Sequence, residues 1–120
     1  MAYQIPLIQT ESQWCPPDTL PDLTTADSIA IDLETRDPNL LTKGPGWATG
    51  DGYIIGVALA TEGWQGYFPV RHDNGSNLDR DLIFRWLKTQ LATDSDKVFH
   101  NALYDVGWLK REGIEINGKI

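Results

Sequence analysis

At 120 residues the chain is long enough for one modest domain and too short for two. Hydrophobic residues make up 41% of it, five tryptophans among them, which excludes a disordered tail. A net charge of −7 counts against a general nucleic-acid binder with a broad basic face, though not against a nucleic-acid enzyme whose positive charge comes locally from divalent metals.

The longest apolar runs, such as Ile54 to Ala60, fall well short of the roughly 18 residues a membrane span needs. The N-terminus lacks the basic-then-apolar pattern of a secretory signal. The single cysteine, Cys15, cannot form an internal disulfide, so a reducing compartment is expected.

Residues 1–27 are punctuated by Pro6, Pro16, Pro17 and Pro21 and read as an N-terminal arm, with a short strand at Gln4–Gln9. Ser28 to Leu33 reads as a buried strand. Arg36 to Gly52, with four glycines and two prolines, reads as a loop. Tyr53 to Thr61 and Gln65 to Val70 are further strands, and the short turn at Gly63 makes them antiparallel. Ser76-Asn77 is expected to cap a helix, with Asp79 completing a capping box. Leu78, Leu82, Ile83, Trp86, Leu87 and Leu91 recur on one face of it. Lys97 to His100 is a short fourth strand, and Asn101 is expected to cap a second helix that stops at Gly113. Ile114 to Ile120 looks like the approach to a further element. The expected fold is α/β, with three antiparallel strands followed by a parallel α/β crossover.

Asp32 and Glu34 lie two apart at the end of the first strand, so an extended backbone points both to one side. Paired carboxylates of this kind suit hard cations such as Mg²⁺ or Mn²⁺, although acidic pairs at the entrance of a solvated loop are common. Asp105 lies in the first turn of the second helix, where the helix dipole alone would favour a carboxylate. Asn101, four residues earlier, shares its face. If the fourth strand lies beside the first, the helix after it carries Asp105 toward Asp32 and Glu34. Three carboxylates from separate elements would then converge in a way that supports two-metal phosphoryl chemistry.

The segment Ile29-Ala30-Ile31-Asp32-Leu33-Glu34-Thr35 resembles the first exonuclease motif of the DEDD superfamily, with its Asp-X-Glu-Thr core. Phe99-His100-Asn101-Ala102-Leu103-Tyr104-Asp105 resembles the second, an Asn-X-X-Tyr-Asp pattern. Tyr67-Phe68-Pro69-Val70-Arg71-His72-Asp73 and Lys110-Arg111-Glu112-Gly113-Ile114-Glu115 are similar to segments of family A DNA polymerases. The resemblance runs from about Ser28 to Ile120 and is greatest to the proofreading domains of DNA polymerase I-like enzymes, bacterial or phage-encoded. It implies a ribonuclease H-like fold over residues 28–120 and a 3′→5′ exonuclease that uses two divalent metals, Mg²⁺ or Mn²⁺. Asp32, Glu34 and Asp105 would be the catalytic metal ligands. Thr35, Asn101, Tyr104 and His100 would meet the substrate, a single-stranded DNA 3′ end, from which nucleoside monophosphates are released. The implied partner within the parent chain is a polymerase domain, and the implied setting is the cytoplasm of a bacterial or phage-infected cell.

The family's third motif, with a fourth carboxylate, lies downstream of the second and is not in these 120 residues. The fragment alone is therefore expected to be weak or inactive, and prone to self-association through an uncovered sheet. A free-standing exonuclease on RNA or DNA is one alternative. A catalytically silent polymerase module is another, although such modules lose the acidic residues that this chain keeps. Lys43-Gly44-Pro45-Gly46 lacks the order of a phosphate-binding P-loop, and neither His72 nor His100 has a second histidine at zinc-ligand spacing. His72 is expected to be a turn residue. Trp47, Trp64 and Tyr67 are expected in the core or as loop anchors, and Trp86 and Trp108 in packing roles.

Overall fold

The computed structural model describes residues 20–73 and 75–120. The strand expected at Gln4–Gln9 lies outside them, as does Cys15. Strand β1 spans Ser28–Arg36, and buried Ile29, Ile31 and Leu33 alternate along it with Ala30, Asp32 and Glu34. Strands β2 (Tyr53–Thr61) and β3 (Trp64–Pro69) form an antiparallel hairpin, with β2 also antiparallel to β1. Strand β4 (Asp96–Phe99) lies parallel to β1, giving a mixed sheet in the order β3-β2-β1-β4. The fourth strand thus takes the place beside the first that the sequence order anticipates. β1 runs on past Leu33, and its pairing with β2 shifts register between Glu34 and Thr35, where β2 carries the extra, unpaired residue Ile55.

The stretch read as a plain loop contains two single turns of helix, α1 (Leu40–Lys43) and α2 (Gly46–Thr49). Each is closed by short-range bonds, such as Lys43 N–H to Asn39 O at 2.8 Å and Gly50 N–H to Gly46 O at 2.8 Å. One turn is too short to leave an apolar period in a sequence.

Helix α3 spans Arg80–Leu91, and its N-cap is Asp79, not Ser76-Asn77. Asp79 Oδ1 accepts from the N–H groups of Asp81 (3.0 Å) and Leu82 (3.2 Å), satisfying amides that the first helical turn leaves open. The buried stripe of α3 is Ile83, Phe84, Leu87, Gln90 and Leu91. Leu82, expected on that face, is 48% exposed. The stripe turns toward Gln90 because residues 20–27 pack there. Gln90 Oε1 accepts from Leu23 N–H at 2.6 Å, Leu23 itself is buried, and Trp86 Nε1 donates to Pro21 O at 2.8 Å.

Helix α4 spans Ala102–Arg111. Asn101 occupies its N-cap position, but its side chain makes no capping bond, contrary to expectation. Gly113 ends the helix with φ +80°, and Ile114 N–H returns to Leu109 O at 2.9 Å, the left-handed stop that the sequence suggests.

The core lies on one face of the sheet, where Ile29, Ile31, Leu33, Val57, Leu59 and Phe68 meet Leu87, Leu91, Trp108 and Leu109 of the two long helices. Phe68 packs against Trp86 with ring centroids 5.0 Å apart, which fixes α3 on this face. Lys97 is also buried here. Its ammonium donates to the carbonyls of Thr93 (2.7 Å), Ser95 (2.7 Å) and Asn117 (2.8 Å), tying the C-terminal residues to β4. The opposite face carries small residues around the acidic pair. The register sets Asp32 beside Ala58 and Glu34 beside Gly56, with Val98 of β4 54% exposed on the same side.

Candidate functional site

β4 stops at Phe99, opposite Ile31, one residue short of Asp32. The chain then turns into α4, whose first turn lies over the end of β1. This crossover sets Asp105 beside the acidic segment. Asp105 is buried, and its carboxyl accepts a hydrogen bond from the backbone N–H of Leu33, the residue between Asp32 and Glu34. Its Oδ2 has no partner among the described residues. Burial, and then the charge of Asp32, push the Asp105 carboxyl up to about 6, while the Leu33 bond and nearby His100 pull the other way. A buried carboxyl oxygen without a donor, facing a second carboxylate, fits a cation better than it fits an apolar core.

Glu34 is oriented differently. Its Oε2 accepts from the Tyr67 hydroxyl at 2.8 Å and lies 3.9 Å from His72 Nε2. The Tyr67 hydroxyl also meets His72 Nε2 at 2.5 Å. The structure thus brings Asp32 and Asp105 together and holds Glu34 toward β3. Among the described residues, no three His, Cys, Asp or Glu side chains stand together as a set that could hold a metal ion.

Thr35 and Tyr104, both expected to meet substrate, bond to each other. Tyr104 donates its hydroxyl proton to Asp37 Oδ2 at 2.6 Å, so its oxygen accepts from Thr35 Oγ1 at 3.0 Å. Burial and the Asp37 bond raise the Tyr104 phenol pKa. Asp37 Oδ2 also accepts from Gly46 N–H at 3.0 Å, which anchors α2. Trp47 lies flat against Gly107 of α4, where any Cβ would overlap its indole. Arg111 donates to the carbonyls of Gly46 (3.3 Å) and Asp51 (3.0 Å). The glycine-rich loop is therefore docked on the helix that carries Asp105. His100 and Asn101, at the turn between β4 and α4, are exposed beside the site.

Tyr67, His72 and Asp37 are the polar residues that motif reading does not single out as parts of this site. The only signal for Asp37 is its place two residues after Thr35. Trp64, Trp86 and Trp108 take the packing roles expected of them.

Fold and site together define a small α/β domain in which a four-stranded mixed sheet sets an acidic strand end against a helix-borne carboxylate. Among the described residues no helix is long and apolar enough to cross a membrane. No family model matches the sequence. Over an alignment of 122 residues, covering 96% of the chain, it is 42% identical to a DNA-directed DNA polymerase of Pseudomonas phage M6. The chain spans 18% of that polymerase, so the homology is to one part of a much longer protein.

Proposed function

We propose that the chain is the proofreading 3′→5′ exonuclease portion of a DNA polymerase, built on a ribonuclease H-like fold. The observation that carries this reading is Asp105, buried, bonded to Leu33 N–H, close enough to Asp32 to feel its charge, and with an oxygen that has no partner among the described residues. A helix-borne carboxylate drawn onto the backbone between Asp32 and Glu34 has no packing purpose that an apolar residue would not serve better. Asp32, Glu34 and Asp105 would hold two divalent cations, Mg²⁺ or Mn²⁺. When bound, these supply a water nucleophile at neutral pH and offset the charge that develops on the leaving 3′-oxygen.

The remaining roles belong to this chain's own side chains. Thr35 and Tyr104 present a hydroxyl pair braced by Asp37, which suits hydrogen bonding to the terminal sugar. His100 and Asn101 are exposed at the helix start, where they can meet the terminal nucleotide or its phosphate. The substrate is a single-stranded DNA 3′ end, and the similarity to a phage polymerase favours a proofreading setting over a free-standing nuclease.

One observation favours a second reading, a catalytically silent polymerase module: Glu34 is turned toward Tyr67, away from a three-carboxylate set. The test is incubation of the full-length protein with 5′-labelled single-stranded DNA and Mg²⁺ or Mn²⁺. The exonuclease reading predicts a ladder shortening from the 3′ end, abolished by EDTA and by Asp32→Ala. An intact oligonucleotide in the presence of well-folded protein contradicts it and supports the silent module.

A further inference from the structure

We propose that Arg36 and Arg71, gathered around Tyr53 at the acidic end of the sheet, bind phosphates of the DNA strand a few nucleotides before its 3′ end; the proposal rests on the exonuclease reading above. Along β1, Asp32, Glu34 and Arg36 are two apart, so the strand turns all three to one face. Arg36 is paired with Tyr53, the first residue of β2, and cross-strand partners share a face. Ile54, the next residue, is buried in the core on the other side. The bulge brings in the second arginine. The carbonyl of the extra residue, Ile55, accepts from both Val70 N–H (2.9 Å) and Arg71 N–H (3.0 Å), which ties the chain leaving β3 to β2. Arg71 then lies across Tyr53, its guanidinium carbon 3.8 Å from the ring centroid. Stacking on the phenol ring restrains the planar guanidinium and leaves its edge donors free.

Two exposed arginines thus meet one tyrosine. Like charges gathered on one sheet face are destabilising. The chain has 17 acidic residues against 10 Lys and Arg, so carboxylates are plentiful. Yet the ion pairs among the described residues are those of His72 with Glu34 and of Arg80 with Asp81 and Glu112. Arg36 and Arg71 have no carboxylate partner among the described residues. Covering Tyr53 from water takes one arginine, not two. Phosphate is the anion of a nucleic-acid strand, and the guanidinium fork matches its geometry. Arg36 stands four residues along β1 from Asp32, roughly 13 Å at the usual strand rise. A strand whose 3′ end lies at Asp32 therefore reaches the arginines only with phosphates further upstream. A positive patch this local also agrees with a net charge of −7, which leaves no broad basic face.

The test uses the full-length protein and compares wild type with Arg36→Gln, Arg71→Gln, the double Gln variant and the double Lys variant, each checked for folding by thermal melting. Exonuclease kcat and KM are read with Mg²⁺ on a dinucleotide and on a single-stranded decanucleotide, over a series of salt concentrations. On the decanucleotide the double Gln variant is expected to raise KM about five- to tenfold with kcat nearly unchanged. Its KM should also depend less on salt, the log–log slope falling by about 1.4 for two lost phosphate contacts, and by about half of that in each single variant. The double Lys variant keeps both charges and should keep most of the slope. On the dinucleotide, too short to reach the arginines, all five proteins should have the same KM. An unchanged KM and salt slope on the decanucleotide, or an equal loss on both substrates, would overturn the proposal while leaving the exonuclease reading intact. A wild-type protein that shortens neither substrate would overturn that reading and the proposal with it.

Discussion

Asp105 of α4 lies close enough to Asp32 of β1 for the Asp32 charge to raise its carboxyl, and the Leu33 amide between the two acidic strand residues donates to Asp105. Two elements far apart in sequence meet here because β4 is parallel to β1 and ends one residue before Asp32. A parallel crossover places the N-terminus of the following helix at the carboxyl end of the neighbouring strand, so the helix-borne and strand-borne acids arrive at the same edge.

This pairing makes stability depend on pH. Burial and the Asp32 charge raise the folded-state pKa of Asp105 from 3.8 to about 6, so folding favours the protonated acid. Its stabilising contribution is fully present below the unfolded value and is lost as pH rises through about 6. A shift of about two units corresponds to roughly 3 kcal/mol. In metal-free protein, the stability of wild type relative to Asp105→Asn should therefore fall between about pH 4 and pH 6. Thermal melts of both across that range check it, and a difference that does not change with pH would contradict it.

Tyr104→Phe should loosen the loop without unfolding the domain. The variant loses the donor to Asp37 at 2.6 Å and the acceptor for Thr35 at 3.0 Å. Asp37 already has one buried oxygen, Oδ1, without a partner among the described residues. A loss of about 1–2 kcal/mol is expected. Amide exchange should accelerate at Gly46, whose N–H is the other donor to Asp37. Unchanged exchange at Gly46 would show that Trp47 and Arg111 hold the loop by themselves.

Lys97→Met tests the anchor of the C-terminal residues. The ammonium donates to three carbonyls, one of them Asn117 O at 2.8 Å. Burial lowers the Lys97 pKa, yet the three acceptors compensate the charge. Methionine fills the space without serving those carbonyls, so a loss of about 2 kcal/mol is expected in denaturant melts. Protection of the Asn117 and Lys97 amides, bonded to Leu91 O and Lys119 O, should fall with it.

What was legible in the sequence, and what was not, divides by the range of the interactions. β1 and β2 show themselves because alternating or continuous apolar residues mark strands within a few positions. The approach of Asp105 to Asp32 is legible because it follows from strand order, whereas its convergence with Glu34 is not seen. The position of the helix cap is not legible, because Ser76, Asn77 and Asp79 are all capping types. A loop contact decides among them: Asn77 is engaged with His72, and Asp79 caps the helix. The orientation of Glu34 was not legible, since it depends on a tyrosine two strands away passing over a glycine. Likewise, Asp37 reads as an ordinary loop acid until α2 and Tyr104 are seen to converge on it.

The central claim is that Asp32 and Asp105 share a divalent cation. Its most direct test is titration of the full-length protein with Mn²⁺ at neutral pH, without DNA, following the free ion by electron paramagnetic resonance in wild type, Asp32→Ala and Asp105→Asn. The prediction is saturable binding by wild type that weakens at least about tenfold in either variant, while both variants stay folded. Binding that is absent from wild type, or equal in all three proteins, would contradict it.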